Sequence, residues 1–267
     1  MRLIEIVRYP VKSLQGESLP AAEIEADGLS GDRRWGIRDE VTGKILTGRR
    51  APELLWASAT VTSDGAPSIS LPTGVRCEGP GRDTDAALSE WLGRPVRLVP
   101  AVTVPAARAE YFEDATDDAS EVVEWTMPAG RFVDAEPLLV VTTASRRTAA
   151  ALYPGGDWDL RRFRPNLVVE VDGDGWVEDA WCKHAAIRIG DVRLLPTQPC
   201  MRCTMPTRPQ PGLDEDREIF RTLAHHHGGR FGAWTAVGAG GAVSVGDDVT
   251  IEPVEVPAVP AASPATN

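Results

Sequence analysis

Turn-forming residues cut this chain into short pieces. With 25 glycines and 22 prolines in 267 residues, most apolar runs are stopped before they can wind a long helix, and what remains reads as short strands. "LIEIVRYPV" (3–11) is rich in β-branched residues and is stopped at Pro10. "SLPAAEIEADGLSGD" (18–32) is a strand running into glycine-rich turn chemistry, and "RWGIRDEVTGKILTG" (34–48) reads as a hairpin turning at "EVTGK". Two more strands flank Asp64-Gly65, and others are expected at "PLLVVTTAS", "NLVVEVDG", "AIRIGDVRLLPT" and the glycine-rich closing stretch "AVGAGGAVSVGDDVTIEPV". Helices are few. Thr84 is placed to cap "DAALSEWLG", with Ala87, Leu88, Trp91 and Leu92 on one face and Gly93 at its end. "RRTAAALY" reads as a short helix, and "DEDREIFRTLAHH" as another with Ile219, Phe220, Leu223 and Ala224 sharing a face. The expected class is mixed and mainly β, with β-barrel-like sheets.

The organisation follows from composition shifts. A first β region extends to residue 105; a proline-rich, then acidic stretch over 106–130 reads as a linker or flap; a second β region covers 131–253; a Pro/Ala/Ser tail, 254–267, is expected to be disordered. No run of about 18 apolar residues is present and the N-terminus lacks signal-peptide features, so a cytoplasmic protein with no membrane span is expected. The net charge of −11 argues against general nucleic-acid binding. Against that background arginines bunch at "GDRRW", "TGRR", "SRR" and "DLRRFRPN", which suits either a small anionic ligand or surface ion pairs. The four cysteines, Cys77, Cys182, Cys200 and Cys203, do not form a disulfide framework and are read as reduced thiols.

Chemistry concentrates in four places. "QPCMRCTMPT" (198–207) holds Cys200 and Cys203 at Cys-x-x-Cys spacing. Three readings compete: half of a zinc site completed by His225, His226 and His227, a redox pair, or cysteines lining a turn. Prolines on both sides oppose the helix a redox pair needs. "YPVKSLQG" presents Lys12 and Ser13 just after a strand, as an anion site or a solvated strand end. "GLSGDRRW" delivers Asp32 and Arg33 from a turn, for a phosphate or for each other. "RRFRPNLVV" places Arg164 before a proline, with an extended backbone expected, and Asn166 at the start of a strand. His184 reads as a strand residue without a chemical role, and the three-histidine run as a solvated helix end.

Taken in order, "YPVKS", "GLSGDRRW", "RFRPNLVV", Trp176 to Trp181 as W-x-E-D-x-W, "IRIGDVRL…PCMRC" and Gly241 to Ile251 as GxVxVGDxVxI resemble the landmarks of the MOSC family, named for the C-terminal domain of molybdenum-cofactor sulfurase. The likeness runs from residue 3 to about 252 and includes the N-terminal β-barrel region of the amidoxime-reducing branch. It implies a β-barrel-like MOSC core and molybdenum cofactor as ligand, with Cys203 as the protein's metal ligand and the catalytic centre. It also implies pterin or phosphate contacts from Lys12, Ser13, Arg33, Arg164, Asn166 and Arg202, and from Asp134 ahead of "PLL". On this likeness Arg202 is expected to keep Cys203 ionised. The implied activity is reduction of small N-hydroxylated or N-oxygenated compounds, with electrons from a separate flavin or iron–sulfur reductase. Two other classes stay open: a non-catalytic cofactor or sulfur carrier using Cys203, and a zinc-stabilised interaction module. Pyridoxal phosphate is a family association only, through a sulfurase domain not visible here. Met201, Glu136 and the proline-rich "TMPTRPQPG" depart from the family pattern on the substrate side.

Overall fold

The computed structural model describes residues 1–254. The expected tail, but for its first residue, lies outside that range. Among the described residues there are eighteen strands and four α-helices, so the chain is mainly β, as its punctuation implies.

The largest sheet has eight strands in the order Val249–Pro253, Ala185–Ile189, Val192–Met201, Arg230–Ala239, Leu138–Thr142, Leu167–Glu170, Arg2–Arg8 and Glu17–Leu19. The first strand of the chain therefore sits inside a sheet built mostly from the C-terminal part, its Leu3 and Ile6 opposite Val169 and Leu167. Its core is a continuous apolar layer including Leu3, Ile6, Leu138, Val140, Leu167, Ile187 and Leu194. Strand Val192–Met201 runs through Pro196 and on past Thr197, where the expected strand ends, to include Pro199. The register shifts beside each proline, and such bulges seat a residue that cannot donate to the ladder.

Residues 35–100 form smaller sheets over a second core around Leu14, Ile37, Leu54, Ile69, Leu88 and Leu98, whereas Ala21–Glu25 and Gly28–Leu29 pair with Gly241–Ser244 and add Ile24, Leu29 and Val243 to the first core. Ser58–Val61 and Pro67–Ser70 pair across Asp64-Gly65. The hairpin expected over 34–48 forms at its turn end, where Asp39 N donates to Lys44 O at 2.9 Å and Leu46 N to Ile37 O at 2.8 Å, but its second limb is not a strand of its own. Asp39 Oδ1 accepts from the backbone N–H of Val41 and Thr42, yet the main partner of Trp35–Asp39 is Val96–Pro100, with only an isolated bridge to Ile45. Helix α1, Arg82–Leu92, ends at Gly93 in the left-handed conformation, φ 64°, which glycine adopts without Cβ strain. Thr84 does not cap it. The cap is Gly81, and Thr84 is buried in the first turn, donating its hydroxyl proton to Gly79 O.

Residues 106–130 carry a β-hairpin, Arg108–Phe112 with Val122–Thr126. Helices α2, Thr143–Leu152, and α3, Val177–Trp181, pack on the large sheet; the N-cap of α2 is Thr142, whose Oγ1 accepts from Ser145 N at 3.1 Å. Helix α4, Arg217–His227, buries Ile219, Phe220 and Leu223 as expected, but Ala224 is exposed and His227 is buried instead. The His227 ring stacks on Trp176 at 4.1 Å and its Nε2 lies 3.2 Å from Asp179. That contact rotates the buried face toward the helix end. His184 lies in the turn before Ala185–Ile189 rather than on the strand.

Candidate functional site

Three loops leaving strands converge on one cleft of about 180 Å³, and all eight residues singled out from the sequence line it: Lys12, Ser13, Arg33, Asp134, Arg164, Asn166, Arg202 and Cys203. The loop after Arg2–Arg8 brings Lys12 and Ser13. The glycine-rich turn brings Arg33, and the segment after the short 3-10 turn Leu160–Arg162 brings Arg164. Four non-glycine residues have positive φ among those described, and three of them are Ser13 (70°), Arg33 (49°) and Arg164 (57°). Left-handed backbone at residues with a Cβ costs about 1–3 kcal/mol each and persists where the surroundings over-determine it. The surroundings are visible here. Arg33 N donates to Tyr9 O at 2.7 Å, and Phe132 N donates to Arg33 O at 2.9 Å. Arg164 is thus left-handed rather than extended; its N–H closes the preceding turn onto Leu160 O at 3.0 Å, and that bond outweighs the preference imposed by Pro165.

Beneath the cleft lies a fully buried pair, Asp32 and Asn166. Asp32 Oδ1 accepts from Tyr9 N (2.7 Å) and Asn166 Nδ2 (3.1 Å), while its Oδ2 meets Arg33 Nη1 at 2.5 Å. Asn166 also donates to Val7 O and accepts from Arg33 Nη1 and Leu139 N. Its amide has no donor or acceptor left over, so its structural work is to hold Arg33 rather than to reach into the cleft. Arg33 and Arg164 both lie over the Tyr9 ring, at 4.9 and 4.2 Å from its centroid.

The cleft is cationic at its floor. Arg164 is buried and neither Nη1 nor Nη2 has a hydrogen-bond partner; burial pushes its guanidinium down to about 10. Arg202 donates to the carbonyls of Phe231 and Phe163, at 2.8 and 2.9 Å, and its Nη2 is unpartnered. Lys12 Nζ donates to Phe132 O at 3.1 Å and Asp134 Oδ1 at 2.6 Å. Burial lowers its ammonium, with Asp134 opposing. Partial desolvation raises the Asp134 carboxyl, but the Lys12 ammonium and a hydrogen bond from Tyr111 outweigh it and the net displacement is downward. Ser13 Oγ accepts from Gly48 N at 2.8 Å. Buried guanidinium donors without partners are costly, and an anion with several acceptor oxygens satisfies them.

Cys203 lies at the cleft wall just past strand Val192–Met201. The expectation that Arg202 keeps it ionised does not hold: burial dominates and raises the thiol, and the Met205 backbone, Arg49 and Arg202 offset only part of that. A metal ion displaces the proton regardless, since it binds the thiolate. Cys200 is more deeply buried, its thiol pushed up to about 11. Among the described residues no group of three or more His, Cys, Asp or Glu is arranged to hold a metal ion, and His227 is already engaged with Trp176 and Asp179. The zinc reading therefore lacks its ligands.

Two cleft residues escaped the sequence reading. Arg49, one of the "TGRR" arginines, is buried and binds Asp118 and three hairpin carbonyls, those of Phe112, Asp114 and Asp117. Tyr111, from the hairpin, donates its hydroxyl proton to Asp134 Oδ1 at 2.6 Å. The only signal for Tyr111 is strand alternation with buried Ala109.

Mouse mitochondrial amidoxime-reducing component 1 is 27% identical over 252 residues, covering 80% of this chain and 68% of that protein. The bovine mitochondrial amidoxime reducing component 2 is 27% identical over 286 residues, covering 92% and 81%. A rice molybdenum cofactor sulfurase is 27% identical over 239 residues, but the match spans only 28% of that longer protein against 77% of this one. The model of the MOSC N-terminal beta barrel domain matches residues 1–96 and that of the MOSC domain residues 129–250; the chain belongs to the MOSC family.

Proposed function

We propose that this protein holds molybdenum cofactor in the cleft beside Cys203 and reduces small N-hydroxylated compounds with electrons delivered by a separate redox protein. The observation that carries the reading is the pair of unpartnered Nη atoms on buried Arg164, in the same cleft as a thiol on its wall. Soft sulfur suits molybdenum already held by a dithiolene, and the cationic floor suits the phosphate of a pterin. Cys203 would ligate the metal, and Lys12, Arg33, Arg164 and Arg202 would hold the anionic part. When bound, the group supplies a two-electron redox centre. The overall change balances as an N-hydroxyl plus two electrons and two protons giving an N–H and water, with the N–O bond broken. The similarity to amidoxime-reducing components supports this substrate class, and the electron donor is a flavin or iron–sulfur protein.

The first test is metal content by mass spectrometry on protein from a cofactor-producing host, wild type beside Cys203→Ser. Molybdenum near one per chain, lost on substitution, is the expected result. A molybdenum-free wild type, or a Cys203→Ser protein that keeps its molybdenum, overturns the assignment. A loaded protein that turns over no N-hydroxylated compound with a chemical reductant points instead to the second reading, a cofactor or sulfur carrier using Cys203.

A further inference from the structure

The hairpin Arg108–Phe112/Val122–Thr126 does more than bridge two regions. Its loop is fastened at one point from two sides. Asp118 takes Arg49 Nε at 2.9 Å, Arg208 Nη2 at 2.6 Å and the Thr204 hydroxyl at 2.8 Å. Arg49 comes from the N-terminal region and Thr204 follows Cys203 directly. The hairpin is therefore a strap tied across the cleft, and the residue it delivers to the cleft wall is Tyr111.

The hydrogen bonding around Tyr111 fixes its polarity. Lys12 and Tyr111 both donate to the same oxygen, Asp134 Oδ1, each at 2.6 Å. A phenol has one proton, and here it is committed to a carboxylate. The Tyr111 oxygen is accordingly left as an acceptor, and Asp134 Oδ2 takes no hydrogen bond among the described residues. Two acceptors side by side on the wall of a cleft whose floor is all donors select a ligand that has N–H groups on one side.

We propose that Tyr111 is a substrate-positioning residue, its phenol oxygen accepting a hydrogen bond from a nitrogen-borne proton of the substrate. The proposal rests on the reductase reading above and adds to it the residue that orients the substrate. Position matters because a reacting group held in place gains most of its rate from geometry, and the strap keeps Tyr111 from drifting.

The test uses molybdenum-loaded wild type and Tyr111→Phe with reduced methyl viologen as electron donor. Benzamidoxime supplies N–H donors; N,N-dimethylaniline N-oxide, as substrate or competitor, supplies none. Loss of one neutral hydrogen bond corresponds to about a fivefold effect. The expected result is a rise of about fivefold in KM for benzamidoxime with kcat within twofold, and no change for the N-oxide. Molybdenum content should match wild type, and the melting temperature should fall only by the small amount that loss of the Tyr111–Asp134 hydrogen bond accounts for. In parallel, benzamidine should raise the melting temperature of the wild type and raise that of Tyr111→Phe less; this readout needs no turnover. Equal effects on both compounds, a change in kcat alone, or an undiminished benzamidine shift overturns the proposal. Should loaded wild type reduce neither compound, the reductase reading fails, and the benzamidine shift still decides the role of Tyr111.

Discussion

Asp32 has no exposed surface, and its neighbours explain why a carboxylate can sit there. Its two side-chain oxygens take three donors, and its carbonyl takes a fourth from the buried Arg131 at 2.9 Å. Removing one partner of such a buried group strands the other. Asp32→Ala should lower unfolding stability by roughly 3–5 kcal/mol, read as a fall in the urea midpoint at unchanged slope, and should reduce molybdenum loading as Arg33 loses its hold. Asp134 came only from the family resemblance, whereas Lys12, Ser13, Arg33, Arg164 and Asn166 were legible as candidates because each sits in a short motif beside a turn or strand end. Their partners were not. Lys12 meets Asp134 across 122 positions and Asn166 meets Asp32 across 134, and no local pattern encodes a contact at that separation. Backbone conformation was also hidden. Pro165 argues for an extended Arg164, and only a bond to Leu160 reverses it.

At the scale of elements, α4 and the strap behave differently from their sequence signals. Amphipathic spacing located α4, but the single stack of His227 on Trp176 turned its face. Burial lowers the His227 imidazole from its ordinary value, with Asp179 opposing and Arg230 adding to the fall. A folded-state value below the unfolded one, near 6.5, means the unfolded chain binds more protons in that window. The contribution of His227 is intact above about pH 6.5 and fades as pH falls toward the folded value. Melting temperature should therefore drop between pH 7.5 and pH 5.5, and His227→Gln should flatten part of that slope. The strap was hidden because acidic, proline-flanked sequence reads as loop, whereas Arg49 supplies the neutralising partner from 69 positions away. Asp118→Ala leaves Arg49 buried without its carboxylate. Cys203 in cofactor-free protein should then react with iodoacetamide severalfold faster than in wild type, and limited proteolysis should cut near residues 113–121.

Considered whole, the molecule puts its first strand and its last described one in the same sheet: the first lies between Leu167–Glu170 and Glu17–Leu19, and the far edge is Val249–Pro253. Strand content was readable from the spacing of turns, but this pairing was not, since apolar strands of similar length compete for the same neighbours. One consequence is that cofactor, by bridging loops from both regions, should stabilise the entire fold by mass action. Loaded protein should melt as one transition at higher temperature than cofactor-free protein, and Arg164→Met should shrink the difference. A cationic floor inside a chain of net charge −11 also divides the journey of an incoming anion into two regimes. At low salt, where the Debye length is about 30 Å at 0.01 M, the net negative charge repels an approaching phosphate at long range, and at contact the arginines attract it. Raising ionic strength should quicken arrival while loosening retention, so that on-rate and affinity respond to salt with opposite signs.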